Sequence, residues 1–220
     1  MDAERFTIAF VAGVTLTRWT SAWQERHASV PLGFVPTLEG DQLDALRAGD
    51  ADIAFVRLPI DSEGLSVIPL YAEQPMVVVQ KGHVIEATDA VTLADLDGEL
   101  RVDESLPPTD AVELVAAAGG IVLLPQSVAR LTARKDVVAR PVTDAPETRI
   151  ALVWRADDTT PEIEEFVGIV RGRTANSSRS AQPEPASEKK AAPKKAPPKP
   201  ATKKAKPITG RTRPRKPRRR

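Results

Sequence analysis

The 220-residue chain has no cysteine, so disulfides and thiolate metal sites are excluded, an absence compatible with a reducing compartment. Its two histidines, His27 and His83, have no partner at metal-ligand spacing and read as solvated side chains. The acidic group Asp41, Asp44, Asp50 and Asp52 lacks the central glycine and terminal glutamate of a calcium loop and reads as a solvated face. No metal or cofactor is expected. Long hydrophobic runs are also missing. The longest, around 115–125, is interrupted by Gly119 and Gly120 and is too short to span a bilayer. The opening MDAERFTIAF has no basic flank leading into an apolar run and a cleavage site, so it is not a signal peptide, and a cytoplasmic, membrane-free protein is expected. No Lys-Ser/Thr follows the glycine pair, which therefore reads as a helix stop and not a phosphate loop. No nucleophile–base set stands out, so an enzyme is not expected.

What is present is a strong division of charge. Through Val170 there are 13 Lys+Arg against 28 Asp+Glu, a net of −15, whereas from Arg171 onward there are 18 against 2, a net of +16. The nearly neutral total thus conceals an acidic body, expected at 1–173, and a basic tail at 174–220. The tail is Pro, Ala, Lys and Arg with almost no large apolar residue. It cannot bury enough surface to offset the entropy of ordering, and is expected to be disordered with polyproline II bias. The cations expected to meet nucleic acid are Lys189, Lys190, Lys194, Lys195, Lys199, Lys203, Lys204, Lys206, Arg211, Arg213, Arg215, Lys216, Arg218, Arg219 and Arg220. Extended cations of this kind follow a phosphate backbone, so sequence-blind, salt-sensitive binding to DNA or RNA is expected. The tail has no aromatic residue for base stacking. The alternatives are a solubilising tail, or one attracted to the acidic body at low salt. The tail resembles the Lys/Ala/Pro-rich arms of linker histones.

Along the body, strands are expected at 6–11, 32–35, 53–56, 66–71, 76–80, 100–102, 121–124, 137–142 and 149–154. Helices are expected from Thr15 or Thr17 to about residue 28, over 41–46 and 92–96, from Thr109 or Asp110 to 118, from residue 127 and over 161–170. Alternation of strand and helix argues for an α/β fold with mostly parallel strands. The adjacent strands within 66–80 break the alternation, which marks a crossover from one lobe to another.

The succession FTIAFVAG, LRAGDADIAFVRLP, LYAEQPMVVVQKGH, LADLDGE, VAAAGGIVLLPQSVARL and IALVWRADD resembles the effector-binding domain of LysR-type transcriptional regulators, in order, from about residue 6 to 171. The resemblance implies a two-lobed, periplasmic-binding-protein-like (type 2) α/β fold. The first lobe would span about 1–78 and 148–173, the second about 79–147, with a small-molecule pocket between them. It implies a role in transcriptional regulation, a small organic acid as effector, and self-association or pairing with full regulators. The family's winged helix-turn-helix would precede the first strand and is expected to be absent. The stretch 98–118 is short by roughly one βαβ unit of about 30 residues, so a reduced second lobe is expected.

Three residues emerge as ligand candidates. Thr15 and Thr17 sit where strand passes to helix, where free N–H groups suit a carboxylate; simple capping is the alternative. Arg57 ends an apolar strand, at the sheet end where α/β folds bind ligands. Its alternative is an exposed arginine paired with Asp61 or Glu63. Leu38 and Glu39 stand where the family often has a ligand-facing threonine, and a glutamate there would repel an acid.

Overall fold

The computed structural model describes residues 5–103 and 105–172, and the basic tail cations lie outside the described residues. Strand β1 (Phe6–Val11), helix α1 (Thr17–Arg26), β2 (Leu32–Thr37), α2 (Asp44–Ala48) and β3 (Ile53–Leu58) form two strand–helix–strand units. Long crossovers of this kind permit parallel pairing, and β1 lies parallel to both β2 and β3. Two further strands follow, β4 (Leu65–Glu73) and β5 (Pro75–Gln80). Only Gln74 separates them, yet they belong to different sheets, and this is the crossover. Helix α3 (Pro108–Ala118), β6 (Ile121–Pro125), α4 (Gln126–Leu131) and β7 (Val137–Pro141) complete the second lobe. The chain then returns through β8 (Thr148–Arg155), and α5 (Pro161–Val170) is the last element among the described residues.

The first sheet runs β2-β1-β3-β8-β4 and the second β6-β5-β7. The expectation of mostly parallel strands is overturned, because β8 is antiparallel to β3 and β4, and β5 is antiparallel to β6 and β7. The physical reason is connectivity: β8 enters the first sheet from the other lobe instead of through a helical crossover.

Alternation along β3 shows how the first sheet buries both faces. Ile53 and Phe55 join the layer formed by α1 and α5, while Ala54 and Val56 join the layer under α2. In the first layer Phe6 stacks on Trp23 at 4.7 Å and Trp19 on Phe55 at 4.8 Å. The second sheet divides likewise, Val78 facing α3 and α4, Val77 and Val79 facing the turns around Ile85 and Leu96. Gly120 allows the 100–102 segment to approach, since a Cβ there would lie 2.5 Å from the Leu100 carbonyl oxygen. That segment makes only an isolated bridge, Arg101 to Ile121, where a strand was expected. The 92–96 helix is a single 3-10 turn, Ala94–Leu96, and a further 3-10 turn, Val84–Ala87, stands where no helix is expected.

Several capping and surface expectations are corrected. The N-cap of α1 is Leu16, already helical at φ −84° and ψ −18°, so neither Thr15 nor Thr17 swings a hydroxyl back onto the helix end. Pro107 and Pro108 start α3 ahead of Thr109 and Asp110. His27 is not freely solvated but stacks on Trp23 at 4.4 Å, and His83 caps a 3-10 turn by accepting from the Ile85 N–H. Asp52 accepts from the Thr7 N–H at 2.6 Å instead of facing water alone. No described helix is long and apolar enough to cross a membrane.

Candidate ligand-binding cleft

The carboxyl ends of β1, β2 and β3 open toward the second sheet, and between them lies a cleft of about 770 Å³. The first lobe supplies Ala12, Thr37, Leu38, Glu39 and Arg57, and the second supplies Leu106, Pro107, Val122 and Leu124. A second opening of about 770 Å³ shares Ala12, Thr37 and Leu38 and adds Thr15, Ser127 and Arg130. Gly13 sits at this junction with φ +90°, and a Cβ there would overlap the Ser127 side chain, so glycine is what lets the two lobes meet closely.

Arg57 anchors the floor. Its side chain is 2% exposed, so neither the open ligand fork nor the exposed surface pair describes it alone. The guanidinium donates from Nε and Nη2 to one oxygen of Glu73, at 3.2 and 2.9 Å. Nη1 donates to Glu39 at 3.0 Å, and Nη2 also reaches the Ala12 carbonyl at 3.2 Å. Asp61, one expected partner, pairs instead with Arg47 at 2.7 Å. The other, Glu63, gives only its backbone N–H to Asp61.

Local geometry explains this arrangement. The β1–β3 ladder ends at the Phe10–Phe55 pair, which leaves the Arg57 peptide without a neighbour on that side. The side-chain amide of Gln42 takes the strand's place, accepting from the Arg57 N–H at 2.7 Å and donating to its carbonyl at 2.9 Å. Glu73 reaches the guanidinium because β4 shifts register between Pro69 and Tyr71. Before the shift Leu65 and Val67 pack under α2; after it Tyr71 aligns with Ile150, which also pairs with Arg57, and Glu73 aligns with Thr148. The bulge therefore turns Tyr71 and Glu73 onto the face of Arg57. Partial burial of the Tyr71 phenol pushes its pKa up, the Glu73 charge adds to the rise, and the Arg57 charge partly opposes it.

Of the expected ligand residues, Arg57 lines the main cleft and Thr15 the adjoining opening, whereas Thr17 is exposed and lines neither. Glu73, Gln42 and Thr148 were not found from sequence. A strand-end arginine signals that a carboxylate partner is needed once buried, but gives no indication of which. No group of three or more His, Asp or Glu residues suited to a metal occurs among the described residues.

The sequence profile of the LysR substrate binding domain matches residues 2–102 and 108–175. The chain belongs to this family. It is a family of regulatory ligand-binding domains, not of enzymes. The break in the match, 103–107, falls within the stretch that reads as shortened. Among curated relatives, the chain is 26% identical over 175 residues to the HTH-type transcriptional regulator BudR of Raoultella terrigena, covering 66% of this chain and 60% of that one. It is also 26% identical over 177 residues to a probable hydrogen peroxide-inducible genes activator of Mycobacterium avium, covering 66% and 57%. The chain thus spans about 60% of the length of these relatives. Among solved structures, the BenM effector binding domain with its effector benzoate shares the fold with a TM-score of 0.64 and 23% identity, covering 76% of this chain and 90% of that one.

Proposed function

We propose that this chain is a small-molecule-sensing LysR-type effector module linked to transcriptional regulation, with the effector held in the cleft between the sheets. The observation that carries the reading is the cleft itself, about 770 Å³ and lined from both lobes, within the size range of small-ligand sites. Leu38 and Leu106 line it while 60% and 36% exposed, so a ligand would cover apolar surface that water now meets. Arg57 and the neighbouring Thr15 belong to the ligand's surroundings. The second lobe is a reduced version of the family's, a reading supported by its three strands and by the break in the family match at 103–107.

A thermal-shift screen of small organic molecules on the full chain tests this, with Leu106→Trp as a cleft-filling variant. The expected result is a concentration-dependent rise in Tm that the variant loses. A screen without any response, or a response the variant keeps, overturns the reading.

The basic tail adds sequence-blind nucleic-acid binding in this proposal. Support comes from its 18 cations against 2 carboxylates from Arg171 onward. A mobility-shift titration compares the full chain with one ending at Arg173. The full chain should bind DNA far more tightly at low salt, with steep loss as salt rises; equal affinity of the two contradicts the tail's role. Pairing of two copies is a second reading, favoured by Phe34, which is 48% exposed on the edge strand β2. Sedimentation equilibrium of wild type and Phe34→Lys tests it. A wild-type dimer that the variant loses supports it, and a monomer throughout contradicts it.

A further inference from the structure

We infer that the cleft selects ligands bearing a cationic or N–H-donating group on an apolar body and disfavours carboxylates, an inference that rests on the cleft being the effector site. Among its described lining residues the ionisable side chains are Glu39, Asp41 and Arg57. The single cation is already committed. Four of the five guanidinium N–H groups are used, on Glu73, Glu39 and the Ala12 carbonyl. A carboxylate ligand seeking two parallel bonds from Arg57 must first expel one of these carboxylates.

The charge balance then decides the sign. Arg57 and the 4%-exposed Glu73 neutralise each other, which leaves Glu39 and Asp41 as the net charge facing the cavity. Glu39 is 61% exposed, so one face of its carboxylate remains open beside Arg57. Asp41 has no ion pair among the described residues. An amidinium or ammonium group could bind these acceptors without displacing Glu39 from Nη1. The hydroxyls of Thr37 and Thr148 are buried beneath the cleft wall without a hydrogen-bond partner, and because a hydroxyl both donates and accepts they leave the sign of the preference to Glu39 and Asp41. The exposed Leu38 and Leu106 supply the apolar wall for its body.

Titration calorimetry on the full chain with two probes of matched shape, benzamidine as the cation and benzoate as the anion, tests the inference. Wild type should bind benzamidinium at least tenfold more tightly than benzoate. Glu39→Gln should weaken benzamidinium at least fivefold and narrow the ratio, and Leu106→Trp should abolish the preference. Tighter binding of benzoate, or a ratio unchanged by Glu39→Gln, overturns the charge preference. So does benzamidinium binding that persists in Leu106→Trp, since it would reflect loose attraction to the acidic body. If neither probe binds but another molecule responds in the cleft-dependent thermal screen, the charge preference falls while the effector-site reading stands. If nothing binds at all, both fall.

Discussion

The two sheets are built from different materials. Every aromatic residue of the chain lies in the elements of the five-stranded half, and none lies between Pro75 and Thr148. Around Phe166 three further rings converge, with Phe6 at 5.5 Å, Trp23 at 5.8 Å and Phe55 at 6.3 Å. The three-stranded half is filled by Val, Leu, Ile and Ala. Rings bury large areas and interlock in few orientations, while short aliphatics contribute less each. The cleft therefore joins a heavily anchored wall, carrying Arg57 and Glu73, to a lighter apolar one carrying Leu106 and Leu124.

The largest effect should come from the anchored side. Phe166→Ala removes the ring at the centre of the aromatic group and should cost about 3–5 kcal/mol in urea unfolding. A loss below that of Val115→Ala in α3 would show that the aromatic layer is not the more heavily anchored half. Next is the buried ion pair. Arg57→Met strands Glu73, one of whose oxygens already lacks a partner, and should cost about 3 kcal/mol or more. Adding Glu73→Leu should return most of that stability; if it does not, the pair's burial is not the source of the cost. On the lighter wall Val115→Ala, fully buried between α3 and its sheet, should cost about 2 kcal/mol, measured in the same unfolding experiment.

The smallest effect concerns pH. Tyr71 is the one tyrosine of the chain, so the ultraviolet absorbance change on phenol ionisation reports it alone. Its folded pKa is raised, chiefly by burial and then by the Glu73 charge. The protonated phenol therefore favours the folded state. This contribution is complete below the unfolded tyrosine's pKa of about 10 and is lost as pH rises through the higher folded value. A phenol that titrates at or below the ordinary value contradicts the environment described. At the acid end, Asp61 is held below its usual range first by the Glu63 N–H and then by Arg47. That contribution is present above the ordinary aspartate pKa and fades as pH falls through the lower folded one.

Much of this architecture was legible in the residues. The alternation FTIAFV and the helix PEIEEFVGIV carry enough local signal that β1 and α5 coincide with their expected limits. The crossover was legible because two strands without a helix between them cannot lie parallel in one sheet. Strand direction was not, since the antiparallel course of β8 depends on where the chain re-enters after the second lobe. Arg57 could be read as a cleft residue from its position at a strand end. Its partners could not: Glu73 arrives through a bulge near Pro69, and Gln42 replaces a missing strand neighbour. Both depend on pairing register, which local composition does not encode.

A ligand held as proposed would bridge two halves of unequal build. Hydrogen–deuterium exchange of the full chain, with and without the best compound from the thermal screen, tests it most directly. Exchange should slow in 37–41 of the first lobe and 105–111 of the second together, with the aromatic core unchanged. Protection confined to one lobe, or present only outside these segments, would contradict it.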